Sequence, residues 1–247
     1  MKLISLNIWG GRLYEPLKDF FERNKSIDIF CLQETYSPFI KAGEKRLQFS
    51  EIAKILNGHN GSFAPTTTYP SGSASGLSVF AKKEIEITKE GNFFVHKTRA
   101  HYKSEDETPK DASNHPRLLQ YIKFGSEKKQ FVVADLHGLW NPAGKIDLPE
   151  RLKQSQKTRK FLDKINGAKI LCGDFNLLPE TKSLKILETG MKNLIKEYGI
   201  KSTRSHFYEK SDKFADYVLV SPEINVKDFK VLPEAISDHL PLMLEFD

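Results

Sequence analysis

"KILCGDFNLLPE" (residues 169–180) sets a short apolar run against Gly173, Asp174 and Asn176. "KILC" reads as a buried strand, and Gly, Asp and Asn favour turns. Two readings follow. In one, the stretch is a strand, its turn and the start of a helix. In the other, an extended backbone repeats every two residues and brings the Asp174 carboxylate and the Asn176 carboxamide to one face. The remainder of the chain decides between them.

On either side, strand and helix patterns alternate. Strands are predicted over 2–8, 27–34, 75–83, 117–124, 129–137, 168–174, 213–221 and 240–246, with 225–232 as a further candidate. Helical spacing marks 14–23 (Leu17, Phe20, Phe21) and 45–58, closed by Gly58. Asp147 and Glu150 in "DLPE" resemble a capping box opening a helix to about 165, and helical stretches follow near 181–198. "GSEKK" predicts a hairpin between 117–124 and 129–137, and the charged stretch 98–116 reads as a surface loop. No repeat or composition break divides the 247 residues, which predicts one mixed α/β domain over 1–247.

Charge and cysteine content narrow the function classes. Lys and Arg number 38 against 32 Asp and Glu, a net charge of +6 that favours polyanionic partners without making a purely nucleic-acid-binding surface. Cys31 and Cys172 both lie in apolar runs, which argues against a disulfide framework. "MKLISLNIWGG" lacks the length and cleavage site of a signal peptide, and no run reaches the ~20 apolar residues of a membrane span. The expectation is a cytoplasmic monomer.

Polar residues recur where the predicted strands stop: Asn7, Gln33 and Glu34, His137, Asp174 and Asn176, Asp216, then Asp238 and His239. Ligand sites of open α/β sheets gather at strand ends. Oxygen donors and imidazoles without a thiolate cluster suit Mg²⁺ or Mn²⁺.

"LNIWGG", "LQET", "GDFN" and "SDHLP", in that order, resemble the endonuclease/exonuclease/phosphatase family, and "DLH" and "FADYVLV" fit its remaining motifs. The resemblance implies the DNase I-like fold: a four-layer α/β sandwich of two mixed sheets flanked by helices. It also implies metal-dependent hydrolysis of phosphate esters, with nucleic acid as the first expectation and a small-molecule or lipid phosphate ester as the alternative. A catalytically dead binding protein on the same fold is a third reading, against which the completeness of the residue set argues.

By the same resemblance Glu34 would hold the metal, Asp238 would add a further metal contact, directly or through water, and Asn7 would support the metal or the phosphate. Asp174 would position and deprotonate the attacking water. Asn176 would donate to a phosphate oxygen. His239 would donate to a non-bridging oxygen or act as acid or base, with Asp216 fixing its tautomer. His137 would stabilise the phosphate or protonate the leaving group. Arg117 would clamp an anion, or else be a solvated residue at a strand start. Trp140 and Asn141, near Lys145 in "HGLWNPAGK", would meet a base and a backbone, or simply pack their loop.

Overall fold

The computed structural model describes residues 1–39, 41–101, 115–126 and 129–247. The chain opens with β1 (Lys2–Asn7), α1 (Tyr14–Arg23), β2 (Ile29–Tyr36), α2 (Phe49–Ile55), β3 (His59–Thr68) and β4 (Ala74–Lys82). Next come β5 (Ile87–His96), β6 (Ala100–His101), β7 (Arg117–Ser126), β8 (Lys129–Leu136), α3 (Pro149–Lys164) and β9 (Ala168–Asp174). It closes with α4 (Lys182–Glu188), β10 (Lys192–Asn193), α5 (Leu194–Glu197), β11 (Asp216–Val220), β12 (Val226–Val231) and β13 (Leu242–Phe246).

Two mixed sheets form the predicted α/β sandwich. One runs β12-β13-β1-β2-β4-β3-β6 and the other β10-β11-β9-β8-β7-β5. Their inner faces meet through Leu3, Cys31 and Val79 on one side and Val133, Ile170 and Val218 on the other. The alternate residues Ile4, Leu6, Phe30 and Leu32 pack outward beneath Leu17, Phe20 and Phe21 of α1 and Ile52 of α2. The central strands are apolar on both faces, which is why they read as continuous hydrophobic runs. On the far side, Phe161 of α3 lies 4.9 Å from the rings of both Phe93 and Tyr121. Among the described residues no helix is long and apolar enough to cross a membrane.

Several expectations change. The strands β3 and β5 lack a sequence signal: "HNGSFAPTTT" and "ITKEGNFFVH" carry Gly, Pro or charge, and neighbouring strands impose their conformation. The segment 45–58 is helical only from Phe49, where Gln48 and Glu51 form a capping box. The stretch 181–198 breaks into α4, β10 and α5 around Gly190, whose φ is 68°. Asp147 does not cap its own helix. Its carboxylate accepts from the Lys182 and Ser183 amides at 2.7 and 2.8 Å, holding the start of α4. Within the expected loop 98–116, Ala100 and His101 pair with Thr67 and Thr68, and residues 102–114 lie outside the described residues.

Strand direction places the site. Parallel pairs β1–β2 and β8–β9 end at one edge, and antiparallel β11 and β13 begin there. Gly173 is required at that edge. Its φ is 130°, and a Cβ there would sit 2.1 Å from the Leu136 carbonyl oxygen. Gly173→Ala is therefore expected to destabilise the protein by about 2–4 kcal/mol through backbone strain and displacement of β8. The urea midpoint at constant m-value measures this.

Candidate active site

The backbone itself turns the site residues inward. β2 carries a bulge between Leu32 and Thr35, and Glu34 within it has φ 58°. Bulges re-aim side chains at the rims of sheets. Trp9 (φ 51°) and Asn176 (φ 53°) are also left-handed. Three of the four non-glycine residues with positive φ among the described residues thus line one cleft, the fourth being Lys97. Such strain persists only where the surroundings enforce it.

Asn176 and Asp174 meet by a different route from the one expected. The chain is not extended across them. It turns, and the Asn176 amide nitrogen donates to Asp174 Oδ1 at 3.0 Å. Asn176 Nδ2 donates to the Gly138 carbonyl at 3.2 Å, leaving its buried Oδ1 without a partner.

Asn7 links the two sheets. Its Nδ2 donates to Glu34 Oε1 and Asp174 Oδ2, each at 3.1 Å, and its Oδ1 accepts from the Trp9 amide at 2.9 Å. One lone pair of the Asn7 oxygen is thus engaged, while its amide nitrogen bridges the two carboxylates. His137 Nε2 lies 3.9 Å from Glu34 and 3.8 Å from Asp174. Burial, then the charge of Arg117, lowers the His137 pKa well below its ordinary value.

His239 Nδ1 donates to Asp216 at 2.7 Å, and Asp216 also accepts from the Thr203 hydroxyl at 2.9 Å. Arg204, absent from the expected set, donates through Nη1 to His239 Nε2 and to Asp238 Oδ2, the latter at 3.1 Å. These bonds fix the imidazole as the neutral Nδ1–H tautomer with Nε2 accepting. Burial and the Arg204 charge bring the His239 pKa down to about 4, and burial raises Asp216 to about 6.

Glu34, Asp174 and Asp238 border a cleft of about 300 Å³. Burial raises the pKa of Glu34 and of Asp238, and the charge of Asp174 adds to both. Buried like charges of this kind call for a cation. The hard oxygen donors fit Mg²⁺ or Mn²⁺. Ligating atoms of Asp174, Asp216 and His239 also fall within 4.8 Å of one another. That cluster is a poorer cation site, because the His239–Asp216 hydrogen bond already uses its donors and acceptors.

Arg117 and Trp140 also line the cleft. Arg117 Nε donates to the Gly138 carbonyl at 2.9 Å. Asn141 is not among the lining residues; its Oδ1 accepts from the Ala143 amide at 2.8 Å and closes its own turn. Lys145 is buried, donating to Tyr208 at 2.6 Å and pairing with Asp212 at 3.0 Å. Only their sequence proximity to His137 placed these two at the site. Arg204 and Tyr208 fall in "STRSHFY", a run without periodicity or motif, and the approach of Arg204 to Asp238 is set wholly by tertiary contacts.

The chain belongs to the Endonuclease/Exonuclease/phosphatase family, whose pattern it matches over residues 4–239. No curated protein matches the sequence. Solved structures share the fold. A mannosyl-6-phosphatase of Bacteroides thetaiotaomicron is 18% identical with a TM-score of 0.69, covering 100% of this chain and 99% of its own. The catalytic domain of human nocturnin with bound sulfate is 17% identical, TM-score 0.66, covering 100% and 93%. A humanised TDP2 of D. rerio is 13% identical, TM-score 0.71, covering 100% and 98%.

His239 is expected to stay uncharged until the pH approaches about 4, against an ordinary value of 6.5. An unfolded chain takes the proton first as pH falls, so this imidazole lowers stability between those limits. Asp216, raised to about 6 from 3.8, acts in the opposite sense. Long-range ¹H–¹⁵N NMR reads the tautomer and its midpoint, and Arg204→Ala should move that midpoint upward.

Proposed function

We propose that the protein hydrolyses phosphate esters with water and a divalent cation. The observation that carries this reading is the convergence of Glu34, Asp174 and Asp238 with the His239–Asp216 pair and Arg204 in one cleft. Glu34 and Asp238 would hold Mg²⁺ or Mn²⁺. The cation supplies charge neutralisation at the phosphoryl oxygens when bound.

The chain's own residues divide the remaining work. Asp174, an acceptor-only carboxylate aligned by Asn7 and the Asn176 amide, holds the attacking water and takes its proton. Asn176 retains a second amide hydrogen for a phosphate oxygen. His239 Nε2 is an acceptor as placed, so donation to a non-bridging oxygen falls to Arg204, a rigid fork suited to phosphate. Arg117 adds a second guanidinium from the opposite wall. His137 faces both Glu34 and Asp174; uncharged at its lowered pKa, it offers a ring N–H as a hydrogen-bond donor to the phosphate.

Two substrate classes have support. For nucleic acid, Arg12 sits 4.8 Å over Trp9 and Lys210 5.1 Å over Trp140, cation–aromatic pairs that suit stacking of bases. For a compact ester, a second pocket adjoins the cleft beside Glu34 and His137. One of the structures sharing the fold is a mannosyl-6-phosphatase.

Turnover of p-nitrophenyl phosphate or bis-p-nitrophenyl phosphate should require Mg²⁺ or Mn²⁺ and disappear with EDTA. Asp174→Asn is expected to lower kcat by about 10²–10⁴-fold. Asp216→Asn, acting through His239, should lower it about 10–100-fold. Undiminished turnover in Asp174→Asn would remove the carboxylate from the mechanism.

A further inference from the structure

Beside the cleft lies a second cavity of about 200 Å³. The two share Glu34, His115, Arg117 and His137, so they adjoin at the reacting centre. Glu34 and Arg117 stand where the two cavities meet. The far wall is built from Tyr36, Thr66, Thr67, Tyr69 and Ser75.

Strand geometry shapes this wall. A bulge between Pro65 and Thr67 of β3 faces Gly76 and Ser75 of β4. A Cβ on Gly76 would meet the Ala64 carbonyl oxygen at 2.1 Å, so glycine lets the two strands close over the cavity. Thr66 uses its hydroxyl on the Ser75 carbonyl at 3.0 Å. The hydroxyls of Thr67, 4% exposed, and of Ser75 make no hydrogen bond among the described residues, and both residues line the cavity. Each hydroxyl offers one donor and two acceptor sites, and a ligand hydroxyl, which also donates and accepts, matches them.

The tyrosines limit the shape of what enters. Tyr36 and Tyr69 are hydrogen-bonded, with ring centroids 6.5 Å apart and planes tilted by 33°. Arg46 covers Tyr36 from 5.8 Å and Phe39 packs edge-on at 5.0 Å. The pair is a fixed wall, not a parallel slot that admits a flat base.

We propose that this cavity receives the alcohol half of the substrate, and that this alcohol is a neutral polyhydroxylated ring, a sugar or cyclic polyol. The inference rests on the phosphoester hydrolase reading above. The phosphate stays in the cleft between Arg117 and Arg204, and the ring hydroxyls meet Thr67 and Ser75. Water adds its oxygen to phosphorus, the P–O bond to the ring breaks, and the released alcohol takes one proton, leaving inorganic phosphate.

An inositol monophosphate and cyclohexyl phosphate share a ring and differ in its hydroxyls. With Mg²⁺, the wild-type protein should favour the inositol ester in kcat/KM by about tenfold or more, because a site built for hydroxyls rejects the analogue lacking them. Thr67→Val combined with Ser75→Ala should bring the ratio to within about threefold of unity. Equal use of both esters by wild type, a ratio unmoved in the double variant, or preference for duplex DNA or RNA over every small ester overturns the proposal. The wild-type comparison needs no variant to fold. If neither nitrophenyl ester is turned over, the hydrolase reading has failed. Saturation-transfer NMR with the two ring phosphates then judges the cavity separately: selective contact with the inositol ester upholds it, and equal or no contact overturns it.

Discussion

The carboxamide of Asn7 is the point on which the site depends. It stands at the end of β1, in one sheet, and grips both Glu34 of that sheet and Asp174 of the other. Hydrogen bonds to charged acceptors contribute roughly 1.5–3 kcal/mol each. Without them the two carboxylates, brought together by the strand ends, repel. The Trp9 amide fixes which way the carboxamide faces. The spacing between the Glu34 and Asp174 carboxylates is thus tied to the spacing between sheets.

That spacing is itself enforced by a polar tie beneath the site. Gln33 of β2 donates to Asp135 of β8 at 2.6 Å, and both side chains are fully buried. Burial raises the Asp135 pKa well above the usual carboxylate range, and the hydrogen bond from Gln33 opposes that shift. Gln33 Oε1 and Asp135 Oδ2 have no hydrogen-bond partner among the described residues. Each such atom costs about 1–3 kcal/mol, which an apolar pair would avoid. What the arrangement supplies is register: Gln33 precedes Glu34, and Asp135 lies two residues before His137. Next to this tie, Cys31 and Cys172 touch as a buried thiol pair, with the Cys31 thiol pushed up mainly by its bond to Cys172.

How much of this was legible follows from where the information resides. Strands buried on both faces announce themselves, so β1, β2, β8, β9 and β11 were readable, and with them the strand-end residues Asn7, Glu34, His137, Asp174 and Asp216. β3 was not, because its polar and glycine-containing sequence becomes a strand only against β4. Asp174 and Asn176 were legible as a pair, but the reason differs: a left-handed turn brings them together, and an alternating strand does not. Proximity in sequence misled for Asn141 and Lys145. Arg204 reaches the site across a separation of 34 residues from Asp238, a contact that no local pattern encodes.

The two walls of the cleft are made differently. On one side, loops between strands are held by buried cations. Arg151 donates to the Leu139, Gly144 and Ile146 carbonyls, and Lys145 ties that loop to Tyr208 and Asp212. Arg204 lies 4.1 Å over the Tyr208 ring, so the guanidinium facing the cleft is braced by the same loop pair. On the other side, the ends of β2, β3 and β4 present hydroxyls and two tyrosines. A phosphate ester has the same polarity, an anionic head joined to a neutral alcohol. The reacting residues sit on strand ends between the walls, where the core fixes them. Under the proposed function, the hydroxyl-bearing wall could vary without disturbing the strand-end residues, in keeping with one fold serving many esters.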